Sequence, residues 1–332
     1  NKLITLHNDG SYSLNMDYFD FDWAQHMPSK KMVELFKHPI RKSESKIYKH
    51  HKDIAAALQQ KLEEAVFNLL NNIHHKYKID NLCFAGGVAL NSVMNAKILK
   101  NTPFNRLFIP PDPSDAGAAM GAALYLDRNP HLIKTKVKSK QKTHLSISKT
   151  FAPYLGPSYN SFQIKQTLDK TGLKYKFYKD RQKLLDKTSN LLIKKQVIGW
   201  FQGKMEWGPR ALGTRSILAA ATSREMQDIL NAKVKKREMF RPFAPVILKK
   251  YMADFFEIDK PLPKIADYML VGYKLTTQGK KNIPAVVHVN DTGRPQSIER
   301  KDNPLYYDLI DNYRKKTGIP VVSHYRDYWF VC

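Results

Sequence analysis

The sequence is poor in cysteine, it has no long apolar run, and its first residues show no signal-peptide pattern. Its two cysteines, Cys83 and Cys332, are too few for a disulfide framework, so we expect a cytoplasmic protein in a reducing compartment. No stretch approaches the roughly 18 consecutive apolar residues of a membrane-spanning helix, and we expect no membrane partner. Because the chain opens with Asn1 and NKLITLHNDG is not a signal pattern, we expect it to begin inside a longer reading frame.

Acidic residues are also scarce. Lys and Arg number 55 against 30 Asp and Glu, which gives a net charge of +25. Such an excess of cations favours nucleic acid as one candidate partner. However, the lysines are spread along the whole chain, and the sequence has no zinc-finger spacing, no aromatic RNA-recognition signature and no basic heptad helix. We therefore expect a lysine-rich surface and a site for anionic substrates, with nucleic-acid binding kept as the alternative.

The chain is long enough, at 332 residues, for two domains with separate cores. Residues 127–150 are rich in Lys, Ser and Thr, a composition that is typical of a linker. We predict a first domain over residues 1–127, a basic linker over 128–152 and a second domain over 153–332. Alternating helical and strand patterns on both sides of the linker predict an α/β fold.

Several local patterns predict individual elements. Asp9-Gly10 predicts a hairpin turn, and apolar residues at three- and four-residue steps predict a helix over 53–77 with Asp53 as its cap. A further helix is predicted to stop at Gly172. Strands are predicted over 82–85, 106–109, 174–178, 197–201 (buried), 268–273 and 285–289.

Two glycine-bearing segments stand where a strand gives way to a helix. In AGGVALNSVMNAKI, residues 85–98, Gly86-Gly87 allow backbone N–H groups to approach a phosphate or sugar, although such a pair also makes a plain tight turn. In PPDPSDAGAAMGAAL, residues 110–124, Asp115 precedes a small-residue helix, where a carboxylate either caps the helix or binds a metal.

A third segment carries arginines beside a predicted buried strand. In WFQGKMEWGPRALGTRSILAAATS, Arg210 and Arg215 are flanked by glycines, and Lys235, Arg237 and Arg241 follow. Guanidinium forks suit phosphate and carboxylate groups. Internal ion pairs, such as Arg210 with Glu206, are the alternative. Because the acids of this segment are fewer than its cations, we favour an anionic ligand.

These three segments, in this order, resemble the carbamoyltransferase family that includes nodulation protein U and the cephalosporin and aminoglycoside antibiotic O-carbamoyltransferases. The resemblance runs from about Tyr12 to Val322, and MEWGPRALGTRSIL followed by KREMFRPFAPVIL is its most specific part. LGPSYN, residues 155–160, and VVHVNDTGRPQSIERKDNP, residues 286–304, fall where family members carry similar stretches.

The resemblance implies two α/β domains and a reaction in two stages. The first domain would be a partial sugar-kinase/actin-like domain, similar to the tRNA-threonylcarbamoylation ATPase, and the second would resemble threonylcarbamoyl-adenylate synthase. In the implied first stage, carbamoyl phosphate and ATP give carbamoyl adenylate. In the second, the carbamoyl group passes to a hydroxyl of a small molecule, a sugar or secondary metabolite.

The resemblance also assigns roles to residues of this chain. It implies Arg210, Lys235, Arg241 and Arg294 as catalytic groups of the first stage, Gly86, Gly87, Asn91, Arg215 and Arg237 as cofactor-binding residues, and Asp115 as a metal ligand. The implied cofactors are ATP with Mg²⁺ and an iron-type divalent metal that histidines from upstream sequence would complete.

The sequence departs from the family pattern near both ends. The expected metal-binding histidine motif is absent, and His50, His51, His74 and His75 lie in or near amphipathic helices, where they are poor substitutes. After TGIPVV the family continues into an Asn-Thr-Ser-Phe-Asn stretch, whereas this chain reads SHYRDYWFVC. An inactive fragment or pseudo-enzyme is therefore the alternative to an active carbamoyltransferase.

Overall fold

The computed structural model describes residues 2–22, 24, 26–42, 45–129, 132, 152–235, 242–258 and 263–326. The chain forms two compact units: residues 1–82 with 97–106, and residues 83–96 with 107–332. Both helices and strands are present, which confirms the α/β class, while the sugar-kinase-like and adenylate-synthase-like assignments stay predictions. Among the described residues, no helix combines the length and the apolar character needed to cross a membrane.

The first unit contains a hairpin and a long helix. Strands β1 (Ile4–Leu6) and β2 (Tyr12–Leu14) pair antiparallel, with Ile4 opposite Leu14. The turn between them contains Gly10 at φ +87°, and its N–H donates to the carbonyl of His7. The hairpin predicted from Asp9-Gly10 is confirmed.

The helices of the first unit are α1 (Lys30–Phe36) and α2 (Lys49–Tyr77). The prediction that Asp53 caps α2 is wrong, because the helix begins four residues earlier with Tyr48 as its N-cap. The Tyr48 N–H donates to Nδ1 of His51 at 3.1 Å, which closes the first turn upstream of Asp53. The Asp53 carboxylate instead forms an ion pair with Lys49, with 2.8 Å between Oδ2 and Nζ.

Three elements lie where the chain passes between the units: β3 (Asn81–Cys83), α3 (Ser92–Asn101) and β4 (Arg106–Phe108). They confirm the strands expected over 82–85 and 106–109. The glycine turn and the Pro-rich loop follow these strands, as predicted, and α4 (Asp115–Arg128) follows the loop.

The second unit is built on a five-stranded sheet. Its strands are β5 (Ile198–Phe201), β6 (Arg215–Ala220), β7 (Ala244–Leu248), β10 (Gln296–Ile298) and β11 (Val321–Arg326), in the order β10-β7-β11-β6-β5. Only β10 and β7 run parallel, and the other neighbours are antiparallel. Since β11 lies between β6 and β7, its side chains are among the most enclosed of the sheet.

The smaller elements of this unit are α5 (Ser161–Thr171), α6 (Arg181–Ile193), α7 (Glu225–Ile229), α8 (Met252–Phe255), β8 (Tyr273–Lys274), α9 (Thr277–Asn282), β9 (Thr292–Gly293) and α10 (Pro304–Thr317).

Two hydrophobic clusters cover the two faces of this sheet. Alternate residues of β6, β7 and β11 divide between them: Ile217, Ile247 and Val321 join one cluster, while Leu218, Val246 and Val322 join the other. Helices α6 and α10 supply the second cluster with Leu185, Leu192, Leu309 and Ile310, among others. This alternation is what the side-chain period of two in a strand requires when both faces are buried.

Several predicted strands are corrected. Residues 174–178 take no sheet pairing in the structure, and residues 284–286 form a 3₁₀ turn. Residues 264–268 also form a 3₁₀ turn, and of the predicted strand over 268–273 only Tyr273 is in a strand, β8. The runs around residues 268 and 285 are apolar because they are largely buried, and burial alone does not distinguish a strand from a packed turn. Strand β5 is an edge strand and not a buried one, since its Phe201 is 42% exposed.

The predicted domains, 1–127 and 153–332, stay a prediction beside the two compact units of the structure. Residues 83–96 and 107–127, predicted in the first domain, fold with the second unit. Asn95 shows one reason: its Nδ2 donates at 2.8 Å both to the carbonyl of Ala89 and to that of Leu270. Most of the predicted linker, 128–152, lies outside the described residues.

Replacing Asn95 by Ala is expected to lower the free energy of unfolding by about 2 kcal/mol, because two buried carbonyls lose their donor. Denaturant unfolding of the purified chain measures this loss. Asn101→Ala is the matched control on the same helix, since exposed Asn101 donates only to the carbonyl of Lys97. Equal effects of the two substitutions would contradict the role of Asn95.

Candidate functional site

The loop between β5 and β6, residues 202–214, is organised by the carboxylate of Glu206. This side chain is fully buried, and its Oε1 accepts the N–H groups of Leu212 at 2.8 Å and of Arg215 at 3.2 Å. Its other oxygen accepts the hydroxyl of Thr214. A carboxylate that receives several N–H groups is held firmly and in turn fixes the backbone that donates them. The ion pair of Glu206 with Arg210 was the alternative reading, and the structure instead shows this carboxylate binding the backbone of its own loop.

The LGPSYN segment runs along the same loop. The Gly156 N–H donates to the carbonyl of Met205 at 2.9 Å, and the Met205 N–H donates to the carbonyl of Pro157 at 3.0 Å. A Cβ on Gly156 would lie 2.9 Å from the Cβ of Met205, so this approach requires glycine. The Tyr154 hydroxyl then reaches the far end of the loop and donates to the carbonyl of Leu212 at 3.0 Å.

Arg215 lies inside the protein. It is 1% exposed, and its guanidinium donates to the carbonyls of Gln202 at 3.0 Å and Pro157 at 3.1 Å, with further bonds to Gly203 and Thr214. The central guanidinium carbon, Cζ, of Arg215 lies 3.6 Å from the centre of the Phe201 ring, which is a cation–π contact. Burial lowers the pKa of Arg215. The predicted role of Arg215 in cofactor binding stays a prediction, and the structure shows it bound to backbone carbonyls.

Arg210 lies differently from Arg215. Its side chain is half-buried, and its Nη2 is 3.5 Å from the carbonyl oxygen of Leu90, in the turn that follows Gly86-Gly87. The structure therefore brings Arg210, predicted for the first stage of the reaction, next to the glycine turn predicted for nucleotide contact.

The glycine turn is itself anchored on the Pro-rich loop. Gly86 has φ +105°, a conformation that favours glycine, and its N–H donates to the carbonyl of Pro113 at 2.7 Å. A Cβ on Gly86 or Gly87 would meet no atom of the described chain within 4 Å, so the turn is open on that side. Asn91 Oδ1 accepts the N–H of Met94 at 3.0 Å and thereby caps α3.

The Pro-rich loop and the Arg210 loop pack against each other through glycines. A Cβ on Gly208, which has φ +107°, would lie 3.1 Å from the carbonyl oxygen of Pro111. A Cβ on Gly117 would overlap the carbonyl oxygen of Asp112 at 2.1 Å and stand 3.7 Å from the Trp207 ring. The bare helix face predicted from Gly117 is thus approached by protein, at least at this position.

Asp115 is exposed and lies in the first turn of α4. A carboxylate at this end of a helix interacts favourably with the helix dipole. It is not the helix cap: Ser114 holds that position, and the buried Asp112 accepts the N–H and the hydroxyl of Ser114. Within the described ranges, no group of three or more His, Cys, Asp or Glu side chains is placed to hold a metal ion. The described residues therefore do not by themselves fit the implied iron-type centre, and we derive no step through a metal.

The remaining predicted cations are only partly described. Arg294 is half-buried, and its charge lowers the pKa of His324 and of His288, in each case as a smaller cause than burial. The backbone of Lys235 ends a π-helical segment, Leu230–Lys235, and nothing is described of its side chain. Arg237 and Arg241 lie outside the described residues.

Sequence reasoning missed the side chains that support the loop from below. The Tyr306 ring packs on Gly213, where a Cβ would lie 2.0 Å from a ring carbon. Gln296 donates to the carbonyl of Leu212 at 3.2 Å, and Gln202 donates to that of Gly213 at 2.8 Å. Arg326 of β11 donates to the carbonyl of Gly208. Except for the bond of Gln202, these contacts join positions far apart in sequence, so no local pattern pointed to them.

The arrangement is a rigid loop that presents a half-buried guanidinium beside an open, glycine-lined turn. A preorganised cation beside an open turn binds phosphate or carboxylate, because little order is lost when the anion arrives. The structure thus favours an anion site in the second unit, and it places Gly86, Gly87 and Arg210 in one neighbourhood.

Comparison with known proteins gives matches along most of the chain. The family model described as Carbamoyltransferase N-terminus matches residues 1–124, and the one described as Carbamoyltransferase C-terminus matches residues 189–324. The two matched ranges contain all the segments of the site except LGPSYN, which lies between them.

Curated proteins are similar at about one third identity. An uncharacterised protein of Synechocystis sp. is 35% identical, with the match covering 97% of this chain and 54% of that protein. The nodulation protein NolO of Bradyrhizobium diazoefficiens is 33% identical over 85% of this chain and 50% of its own length. Nodulation protein U of Rhizobium tropici is 34% identical over 74% of this chain and 38% of its own length. The chain spans about half the length of the curated relatives it matches.

Replacing Glu206 by Gln is expected to lower the free energy of unfolding by about 3 kcal/mol, because an amide turned toward these donors offers one acceptor oxygen where the carboxylate offers two. Chemical denaturation measures the change. The control is Glu257→Gln, an exposed glutamate of the same unit, which is expected to change stability by less than about 0.5 kcal/mol. A Glu206→Gln protein as stable as the control would refute the organising role of this carboxylate.

Replacing Gly213 by Ala is expected to lower the free energy of unfolding by about 3 kcal/mol, since the new Cβ combines a positive φ of 95° with overlap of the Tyr306 ring. Gly318→Ala separates the two causes, because Gly318 has φ +77° and open space around its Cβ position. That control is expected to cost only about 1 kcal/mol. Similar losses at both positions, measured by thermal or denaturant unfolding, would show that the contact with Tyr306 contributes nothing.

Proposed function

The chain belongs to the carbamoyltransferase family, and we propose that it acts in an ATP-dependent transfer of a carbamoyl group from carbamoyl phosphate to a hydroxyl of a small molecule. The second unit carries the site of the first stage, which forms carbamoyl adenylate. Arg210 on the loop fixed by Glu206 is the observation that carries this proposal, since it places a preorganised cation beside an open glycine turn.

The proposed reaction has two stages. Carbamoyl phosphate gives its phosphate to water and leaves carbamate, whose oxygen attacks the α-phosphorus of ATP while pyrophosphate departs. The acceptor hydroxyl then attacks the carbamoyl carbon of the adenylate, and AMP departs with the bonding electron pair. Both donors of the first stage are polyanions, and the phosphoryl charge that develops calls for fixed cations.

Arg210 and Arg294 supply such cations in the described part of the second unit, and Lys235, Arg237 and Arg241 belong to the same proposal from their sequence positions. Arg215 contributes indirectly, because it ties β6 to the carbonyls of residues 202, 203 and 157 and so helps to keep the loop in place. Carbamate and its adenylate break down in water, so a site that folds against the Pro-rich loop protects the intermediate.

The glycine turn, which we propose contacts nucleotide, lies next to Arg210 of the first-stage site. Gly86 and Gly87 leave backbone exposed within reach of the Arg210 side chain, because Leu90 of the same turn is its hydrogen-bond acceptor. We propose that ATP, with Mg²⁺, binds along this side of the loop, where glycine permits close approach of phosphate. Asp115 stays a proposed metal ligand for the second stage, with the rest of its donor set outside the described residues.

Replacing Arg210 by Ala is expected to weaken the binding of carbamoyl phosphate and of ATP by about tenfold or more, because a half-buried guanidinium donates charge-assisted hydrogen bonds. Isothermal titration calorimetry of the purified chain with each ligand measures the two affinities. Circular dichroism and thermal unfolding establish that the variant is folded.

The matched control is Arg224→Ala, an exposed arginine of the same unit, which is expected to leave both affinities unchanged. If both arginine variants weaken binding equally, the effect belongs to the net charge and not to the loop. If a folded wild-type chain binds neither ligand, the proposed first-stage site is wrong.

A further inference from the structure

The surface around α5 exposes an unusual number of aromatic side chains. Five of the 21 residues over 159–179 are aromatic, against 11% of the whole chain. Exposed large apolar groups that lie close together mark an interaction surface. We call five rings of this region the aromatic strip; they are between 42% and 66% exposed, and they are Tyr159, Phe162, Tyr175, Phe177 and Phe201.

One end of the aromatic strip is held at the edge of the sheet. The ring centres of Tyr159 and Phe201 are 6.1 Å apart, and the guanidinium of Arg215 lies against the Phe201 ring. The next residue, Asn160, caps α5, because its Oδ1 accepts the N–H of Gln163 at 2.9 Å. These two rings therefore have a fixed place at the start of the helix.

Helix α5 continues the strip. Phe162, Lys165 and Asp169 share one face of the helix, since they are three and four residues apart. The Tyr175 hydroxyl donates to Asp169 at 2.9 Å, and Phe177 follows two residues later. The helix has 11 residues and is about 16 Å long, which is the length of about five stacked nucleotides at roughly 3.4 Å each.

The charge of this surface is almost entirely positive. Residues 159–179 contain a single acid, Asp169, which pairs with one lysine at 2.6 Å. The same residues contain five exposed lysines, namely Lys165, Lys170, Lys174, Lys176 and Lys179. A second copy of the chain is a poor partner, because two such surfaces repel each other. The strip instead fits a partner that is anionic and offers apolar groups for contact.

The mixing of rings and lysines identifies the kind of anion. A helix that lies on a membrane separates its apolar face from its basic face. Here Phe162 and Lys165 share a face, and residues 174–179 read Lys-Tyr-Lys-Phe-Tyr-Lys. Such a mixture suits an unpaired strand, whose bases stack on the rings while its phosphates contact the lysines.

We infer that the aromatic strip binds single-stranded nucleic acid. This binding goes beyond the proposed carbamoyl transfer and does not depend on it. It gives the cationic excess of the chain a defined place of action.

The test compares two labelled single strands of about 12 nucleotides, one with bases and one that is abasic throughout. Both carry the same phosphates, so only stacking distinguishes them. Fluorescence anisotropy with the full chain measures each affinity. The wild type is expected to prefer the strand with bases by about tenfold or more. Tyr175→Ala and Phe177→Ala are each expected to weaken its binding about fivefold and to leave the abasic strand within about twofold.

Two controls separate stacking from charge. Tyr125→Ala removes an exposed tyrosine of α4, outside the strip, and is expected to change neither affinity. The double variant Lys174→Ala/Lys176→Ala is expected to weaken both strands equally. It is also expected to reduce the slope of log affinity against log salt by about 1.4, since each lost phosphate contact contributes about 0.7. Circular dichroism establishes that each variant is folded.

Three results would overturn the inference. Equal affinity of the wild type for the two strands would show binding by net charge alone. A preference that the folded Tyr175→Ala and Phe177→Ala proteins retain would show that the rings do not contact bases. Complete displacement of the strand by an equal concentration of ATP would assign the rings to the ATP site. None of these results bears on the carbamoyl phosphate site, which the Arg210→Ala titration tests separately.

Discussion

The Glu206 carboxylate is the constraint on which the candidate site depends. A carboxyl side chain with no exposure is stable only when hydrogen bonds replace its hydration, and Glu206 obtains them from the backbone of residues 212, 214 and 215 and from the Thr214 hydroxyl. These donors lie at the end of the same loop that contains Glu206. The carboxylate therefore fixes the backbone conformation of the whole loop. The position of Arg210 follows from that conformation, since Arg210 lies between Glu206 and the first of those donors.

Close approach of backbone then joins this loop to its neighbours. Gly156, Gly208, Gly213 and Gly117 each stand where a Cβ would meet another atom at 3.1 Å or less, and the atoms met belong to the loop or to what packs on it. Such contacts leave no room for the loop to shift, because interiors are packed at the density of crystals. The half-buried Arg210 therefore lies on a loop that is already ordered before a ligand binds. For this reason an anion can bind there at low entropic cost.

Local signals in the sequence predicted local structure well. The Asp9-Gly10 turn and the end of α5 at Gly172 each depend on a single residue and its immediate neighbours. Asp53 failed as a cap because a competing turn closed upstream of it. Non-local structure was beyond such reasoning: the partner of Asn95 at Leu270 lies 175 residues away, and this contact is one of those that join residues 83–96 to the second unit.

Arg210 and Arg215 show the same limit within the site. In sequence they are alike, two arginines flanked by glycines in one motif, yet one lies half-buried beside an open turn and the other is enclosed by carbonyls and an aromatic ring. What separates them is Phe201 on the neighbouring strand and Pro157 in a segment almost sixty residues away, which together offer Arg215 an interior partner set.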